Sequence, residues 1–382
     1  MPSRTRAIRV CFVTGTRAEF GLMKPVLEAI QRRRGLRLQI LATGMHLDRR
    51  HGYTLRQIRA DGFVVDATVP WPTAAGIGQA TGRAIAGLAA AYGKLRPDVV
   101  LVVGDRVEAF AAATAAHLSH RLVAHVHGGD RAAGQVDDSL RHAITKLSHI
   151  HFCATAASAR RVLRLGEDSQ WVFNVGSPAA DGIVEQAAAP EEIVQRYPDL
   201  EPGRYLLLLL HPAVPDAAVE RRRAELVLSA CRMTGARRIV IIYPNNDPGA
   251  KGIISAWERH RREADLVIEK SVPRGVFLGL MRDAAALAGN SSSGIIEAAS
   301  FGTPVVDIGP RQSGRECSRN VLRCAYDFAG ISGVLGRIWN CGCPRRCRCR
   351  NVYAQGGAGA RMADVLASLA QRTPVRLKLI GY

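Results

Sequence analysis

The sequence predicts an α/β fold of two similar lobes, each a parallel sheet covered by helices on both faces, with a central cleft between the lobes. Three observations support it. Short β-rich apolar runs alternate with helix-like stretches along the chain. A break near Asn174–Asp199, punctuated by Gly176, Pro178 and Pro198, is followed by a restart of the same pattern. Polar clusters follow nearly every apolar run, as expected where ligands sit at the carboxyl ends of parallel strands.

In chain order, Ile8–Thr14 is a strand and Phe20–Arg33 an amphipathic helix. Leu36–Thr43 is the next strand, and Gly78–Leu95 an alanine-rich helix. The strand Asp98–Val103 ends at Gly104-Asp105, before a helix at Ala109–Ser119. Leu122–His127 is a strand ending in Gly128-Gly129, Leu140–Lys146 a helix and Ile150–Cys153 a short strand. After the break, strands are expected at Tyr205–Leu210, Arg238–Tyr243, Leu266–Glu269, Ala284–Gly289 and Pro304–Ile308. Helices separate them at Val219–Thr234, Gly252–Ala264 and Gly294–Phe301. The boundaries follow: residues 1–178 form the first lobe, 179–357 the second, and a last helix at Ala360–Gln371, within 358–382, packs back on the first.

With 382 residues and 47% of them hydrophobic, the chain is long enough for two or three domains of roughly 100–200 residues each. No apolar run approaches the roughly 18 residues of a membrane span. The start, MPSRTRAIRVCFVTG, is basic and then apolar like a signal peptide, but it runs into TGTRAEF without a small-residue cleavage site. It reads as a buried first strand of a cytoplasmic protein. The net charge of +19 comes mostly from scattered arginines, including the runs at 32–34 and 221–223. Aromatic residues make up only 5% and no aromatic-interleaved basic patch occurs, so neither nucleic acid nor a membrane is the expected partner. Solvated helix faces account for most of the charge, and an anionic small substrate for a few arginines. Four cysteines crowd into Cys341, Cys343, Cys347 and Cys349, in a double C-x-C that departs from the usual zinc spacing. The expectation is a variable surface loop, with no metal and no cofactor.

The polar clusters are Thr14–Glu19, Gly44–His46, Gly104–Glu108, His125–Asp130, His211–Pro212, Tyr243–Asp247, Gly289–Ser293 and Gly309–Arg315. If both sheets point their carboxyl ends at one cleft, all of these converge. The turn Thr14-Gly15-Thr16-Arg17 would offer backbone N–H groups and a guanidinium to an anion. It lacks G-x-G-x-x-G, which argues against a nicotinamide dinucleotide. A second small-residue turn, Asn290-Ser291-Ser292-Ser293, opens a helix and suits a diphosphate, with Glu297 one turn in to accept from a ribose diol. The plainer reading of that turn is an N-cap. Asp105, Asp130, Asp137, Asp138 and His211 supply carboxylates and an imidazole for moving a proton and assisting a leaving group. The plainer reading of each acid is a cap or a structural ion pair. His125 and His127 read either as site groups or as satisfied strand-end histidines. No G-x-S-x-G elbow and no P-loop is present.

The stretches VTGTRAEFGLMKP, TGMHL, VVGDRVEA, HVHGGDRAAGQVDDSLRHAITKLSH, YPNNDPG and GNSSSGIIEAASFGTPVVDIGPRQSGR resemble the hydrolysing UDP-N-acetylglucosamine 2-epimerase family, in its branch that releases N-acetylmannosamine for sialic-acid-type sugars. The resemblance runs from about Ile8 to Leu369. It implies a glycosyltransferase-B-like fold of two Rossmann-like lobes, a homodimer, and a UDP-N-acetylamino sugar held between the lobes. It also implies elimination of UDP to a 2-acetamidoglucal, then addition of water with inversion at carbon 2. By position, Arg17, His46 and the Asn290–Ser293 turn would hold the substrate and its diphosphate, and Glu297 the ribose. Asp105, Asp130, Asp137, Asp138 and His211 would form the catalytic group, with Arg311 and Arg315 on a loop closing over the substrate.

Two positions depart from that branch, which has Glu at 130 and Asp-Glu at 137–138. A carboxylate one methylene shorter falls about 1 Å short, which costs on the order of 100-fold in rate. The pocket is therefore expected either to suit a different sugar or to turn over slowly. The rival functions are a non-hydrolysing epimerase returning UDP-N-acetylmannosamine, and a catalytically impaired UDP-sugar binding protein. Whether carbon 4 of the sugar carries a hydroxyl or a second acetamido group stays open.

Overall fold

A computed structural model describes residues 6–49, 52–72, 76–132, 137–245, 247–339, 346–374 and 378. The chain divides into two compact units. One comprises Met1–Asp130, Val136–Asp181 and Gln355–Tyr382, the other Arg131–Gln135 and Gly182–Ala354.

In the first unit, β1 (Ile8–Thr14) is apolar on both faces and buried, as a strand covered on both sides must be. Helix α1 (Arg17–Arg32) starts at a capping box: Thr16 Oγ1 accepts from the Glu19 N–H while the Glu19 carboxylate accepts from the Thr16 N–H. Phe20, Met23, Val26, Leu27 and Ile30 form its buried stripe. There follow β2 (Leu36–Ala42), α2 (Leu55–Ala60), β3 (Ala67–Thr68), α3 (Ile77–Leu95), β4 (Val99–Val103) and α4 (Val107–Leu118). The unit continues with β5 (Leu122–Val126), α5 (Asp137–Leu147), β6 (Ile150–Cys153), α6 (Ala156–Arg164) and β7 (Val172–Asn174). The strands form a parallel sheet in the order β3-β2-β1-β4-β5-β6-β7. The direction of winding therefore reverses between β1 and β4, where a doubly wound sheet opens a crevice at its carboxyl edge. The C-terminal helix Ala358–Ser368 belongs to this unit and lies on α1. A Cβ on its Gly359 would stand 2.7 Å from the Pro25 carbonyl oxygen, so only glycine permits that approach.

The second unit holds α7 (Ile183–Gln186), α8 (Pro190–Arg196), β8 (Tyr205–Leu209), α9 (Ala217–Arg232), β9 (Arg238–Ile242), α10 (Ala250–Arg259) and β10 (Leu266–Glu269). It ends with α11 (Arg274–Asp283), β11 (Ala286–Gly289), α12 (Ser292–Ile296), β12 (Val305–Ile308), β13 (Val321–Cys324) and α13 (Phe328–Ile338). Its parallel sheet runs β10-β9-β8-β11-β12-β13, so the winding reverses between β8 and β11. The helix expected at 294–301 is shorter and broken. It ends at Ile296, and Ala298–Phe301 continues as a 3-10 turn after Glu297. No helix among the described residues is long and apolar enough to cross a membrane.

Candidate active site

The first unit collects polar side chains around its β1/β4 reversal. At the β1–α1 turn, the N–H groups of Gly15 and Thr16 both donate to Glu19 Oε2, at 2.8 and 3.0 Å. This corrects the expectation that those donors stand free for a phosphate: the helix caps itself with its own acid. Arg17, half-buried, makes no hydrogen bond or ion pair among the described residues, and burial lowers its pKa. It is the group this turn offers to an anion. Glu108 lies buried against the same turn, where a Cβ on Gly15 would be 2.9 Å from the Glu108 side chain. Burial and the neighbouring Glu108 push Glu19 up to about 7, against the pull of Arg106.

His46 is fully buried, with Nε2 3.0 Å from Thr14 Oγ1 and Nδ1 2.8 Å from Thr54 Oγ1. Desolvation lowers its pKa to about 4. It is a neutral strut between two threonines, with both ring nitrogens committed inside the protein.

Arg141 is the centre of the acid cluster. Its guanidinium is 1% exposed, pairs with Asp105 Oδ2 at the end of β4 and stands 3.6 Å from Asp138 Oδ1 on its own helix. The structure thus brings Asp105 and Asp138 together on one cation and leaves both partly open to solvent. Asp137 opens α5; its side chain lies outside the described residues. His142 reaches Asp138 at 3.5 Å.

Asp130 sits differently. It is 2% exposed, with Oδ2 2.9 Å from His127 Nδ1 and Oδ1 accepting from Ser158 Oγ at 2.7 Å. His127 Nε2 meets Ser177 Oγ at 3.0 Å, and the His127 backbone is left-handed at φ 66°. A non-glycine residue held there marks a constrained loop. His125 is buried with Nε2 2.7 Å from the Gly104 carbonyl and Nδ1 3.2 Å from Thr145 Oγ1. A carbonyl only accepts, so Nε2 carries the proton and Nδ1 accepts from the threonine. Burial lowers the His125 pKa to about 3.

In the second unit the reversal lies between His211, just beyond β8, and Asn290, just beyond β11. Asn290 is fully buried; its Oδ1 accepts from the His211 N–H at 2.7 Å, and its Nδ2 donates to the His211 carbonyl at 2.8 Å and to Tyr326 Oη at 2.9 Å. Its amide therefore locks the two strand ends together, a different task from the ligand contact expected of it. His211 Nδ1 lies 3.3 Å from the Asn245 N–H and 3.2 Å from Asn245 Oδ1, so Asn245 fixes the orientation of the imidazole.

Ser291 caps α12 by accepting from the Ser293 N–H, and Ser292 and Ser293 are half-buried beside it. Glu297 is 4% exposed; one carboxylate oxygen takes the Arg274 guanidinium, while the other, Oε2, is buried with no hydrogen-bond partner among the described residues. A buried acceptor without a donor is costly, and a ribose hydroxyl would satisfy it. The loop with Arg311 and Arg315 is fastened to the same turn. Arg311 and Gln312 donate to the Asn290 carbonyl at 3.4 and 2.9 Å, and Arg311 stands 3.6 Å from Asp247. Arg315 is 8% exposed.

Sequence reasoning missed Arg274, Gln312 and the pairing role of Arg141. Arg141 carried a signal, being three residues after Asp138 on one helix, a spacing that makes side chains neighbours. Arg274 carried none. Of the cysteine run, Cys341 and Cys343 lie outside the described residues, and Cys347 and Cys349 are half-exposed. Among the described residues no group of three or more His, Cys, Asp or Glu is placed to hold a metal ion.

The chain matches the UDP-N-acetylglucosamine 2-epimerase family over residues 28–367. It is similar to the hydrolysing UDP-N,N'-diacetylbacillosamine 2-epimerase of Legionella pneumophila, at 34% identity over 98% of this chain and 99% of that one. It is also similar to the UDP-N-acetylglucosamine 2-epimerase of Neisseria meningitidis, at 32% identity over 87% of this chain and 88% of that one. Among solved structures, the UDP-GlcNAc 2-epimerase from Neisseria meningitidis bound to UDP-GlcNAc has a TM-score of 0.80 at 19% identity, covering 94% of this chain and 99% of that one. The UDP-GlcNAc 2-epimerase of Methanocaldococcus jannaschii, solved with UDP-GlcNAc and UDP, has a TM-score of 0.81 at 18% identity over 94% of this chain and 99% of that one. These structural likenesses show the fold, two Rossmann-like α/β units of the glycosyltransferase-B-like class.

Proposed function

Because the chain belongs to the UDP-N-acetylglucosamine 2-epimerase family, we propose that it is a hydrolysing member, converting a UDP-linked N-acetylamino sugar to UDP and the free 2-epimer. A base removes the proton at carbon 2 as the bond from carbon 1 to the UDP oxygen breaks, giving a 2-acetamidoglucal. Water then adds at carbon 1, and carbon 2 is reprotonated on the opposite face. The product is N-acetylmannosamine or its 2,4-diacetamido counterpart, a precursor for sialic-acid-type sugars. The hydrolysing outcome is supported by the Legionella relative, whose likeness spans 98% of this chain and whose name carries that activity.

The observation that carries the chemistry is the joining of Asp105 and Asp138 on the buried Arg141. One guanidinium shared by two carboxylates holds both in one place, the positioning that proton transfer to or from a substrate requires. Asp105, Asp137 and Asp138 are the proton-transfer group, and Asp130 holds His127 in place from inside the wall. In the second unit, the serine turn at 291–293 with Arg311 and Arg315 takes the diphosphate, and Glu297 Oε2 the ribose. Arg17 supplies a further guanidinium, and His211 protonates or hydrogen-bonds the departing phosphate oxygen. These groups act with no metal or cofactor.

The test is phosphorus NMR of the protein with UDP-N-acetylglucosamine, and then with the 2,4-diacetamido sugar nucleotide, with proton NMR of the sugar. Free UDP with a free 2-epimer supports the reading. An epimer still attached to UDP would replace it with the non-hydrolysing reaction. Binding of either nucleotide without turnover would leave a UDP-sugar binding protein.

A further inference from the structure

A second buried ionic cluster lies in the first unit, at the opposite end of α5 from Asp138. Glu167 and His151 side chains are each 1% exposed there, with His151 Nε2 2.9 Å from Glu167 Oε2. Lys146 Nζ stands 2.7 Å from Glu167 Oε1 and donates to the Leu165 carbonyl at 3.0 Å. The last member is Lys378, from the C-terminal segment, 211 positions away from Glu167 in the chain. Its Nζ donates to Glu167 Oε2 at 2.5 Å, to the Lys146 carbonyl at 2.9 Å and to the Thr145 carbonyl at 3.3 Å. Those two carbonyls belong to the last turn of α5, where a helix has no acceptors' partners of its own and carries a partial negative charge. An ammonium there satisfies both needs.

Two physical links run from this clamp to Asp105. The first is a hydrogen-bonded chain: Thr145, whose carbonyl Lys378 holds, donates its hydroxyl to His125 Nδ1, and His125 Nε2–H donates to the Gly104 carbonyl, the peptide that leads into Asp105. The second is α5 itself, since Arg141 lies one turn before Thr145 on the same helix and pairs with Asp105. Sliding or fraying the end of α5 would move the Arg141 contact on that carboxylate and the His125 contact on the peptide before it at once.

We propose that Lys378 is a positioning residue for Asp105, acting through α5 and His125, so that this one lysine is part of the acid site's scaffold. The inference rests on the assignment of Asp105 to the proton-transfer group. A purely structural ion cluster would alter stability alone; a positioning clamp alters turnover in molecules that are fully folded.

The experiment compares full-length wild type with Lys378→Met, Lys378→Arg, Thr145→Val, the Lys378→Met/Thr145→Val pair and Asp105→Asn. UDP release is measured well below each variant's unfolding temperature, and amide hydrogen exchange is followed across α5 and residues 104–106. Lys378→Met is expected to lower kcat about tenfold, with KM changed less than about twofold, since the displacement is at the acid and not at the nucleotide. It is also expected to speed exchange in both segments. Lys378→Arg restores kcat, and the paired variant loses less than the product of the single losses, because both lie on one chain of contacts. Unchanged kcat and unchanged exchange in Lys378→Met would overturn the proposal, as would strict additivity in the pair. Should Lys378→Met fold poorly, Glu167→Gln removes the charge that the ammonium meets and carries the same expectations. An Asp105→Asn variant with full turnover would fail the assignment beneath the proposal, while the exchange data would still show whether the clamp holds α5.

Discussion

Asp130 shows how far a single side chain can be read from a string of letters. Its place after His127-Gly128-Gly129 marked it as an acid at a strand end, but its contact with Ser158, and the one that holds its partner His127 to Ser177, are made only by the fold. The shorter aspartate is matched to that setting: both oxygens are used, and neighbouring Gly129 has no room for a Cβ, which would stand 2.2 Å from the Ser158 carbonyl. Asp130→Glu therefore pushes an extra methylene into a filled site. It is expected to lower stability by about 1–3 kcal/mol and not to raise turnover. A urea midpoint equal to wild type together with faster UDP release would show instead that the pocket waits for the longer acid. Glu297 gives a second expectation. Arg274→Ala leaves its buried carboxylate without the paired cation, and on the proposed ribose role of Glu297 the KM for the UDP sugar is expected to rise about tenfold or more while kcat changes less. An unchanged KM would remove Glu297 from the ribose. That Asp105 stands at a strand end and Asp138 at a helix start was legible; that Arg141 joins them was set by the fold. The burial of His46 and Asn290 was not legible, since a polar residue between two loops reads the same whether it faces ligand or protein.

At the scale of elements, the buried strands were legible and the edges were not. Ile8–Thr14 and Ile150–Cys153 are apolar runs inside their sheet, and the fold places strands there with the same bounds. β3 has two residues and β13 is only partly buried, so neither carries the apolar run that marks a covered strand. Helix α1 begins at Arg17 and not Phe20 because Thr16 and Glu19 cap each other, a pattern readable in the sequence as T-x-x-E. Gly289 is where element geometry and site meet. Its φ is +130° and a Cβ would stand 2.0 Å from the Leu209 carbonyl, so β11 approaches β8 closely just where Asn290 joins His211. Gly289→Ala is expected to cost about 3 kcal/mol and to weaken UDP binding, because the strand ends must part. Calorimetric titration with UDP and a thermal melt check both; a stable variant with wild-type affinity would show that the two strand ends tolerate separation.

For the whole molecule, the buried titratable groups set how stability answers to pH, and they do not all pull one way. His46 and His125 are lowered by burial from 6.5 to about 4 and about 3, so the unfolded chain takes up their protons first as pH falls below 6.5, and stability is lost from there downward. Glu167, lowered from 4.5 to about 2 by His151 and the two lysines despite its burial, loses its contribution between those values. Glu19 acts in reverse. Raised from 4.5 to about 7 by burial and Glu108, it holds a proton in the folded chain that the unfolded chain releases, so stability rises as pH falls from about 7 to 4.5. Between about 6.5 and 4.5 this one gain offsets about half of the two histidine losses; below 4.5 it is complete, and Glu167 adds its own loss. Wild-type urea midpoints are therefore expected to decline gently from pH 6.5 to 5 and to drop more steeply below 4.5. Glu19→Gln keeps a side-chain oxygen for the Gly15 and Thr16 N–H groups but removes the opposing proton uptake, so its midpoint should decline more steeply than that of wild type from pH 6.5 onward. Parallel curves for the two proteins would place the proton elsewhere than on Glu19.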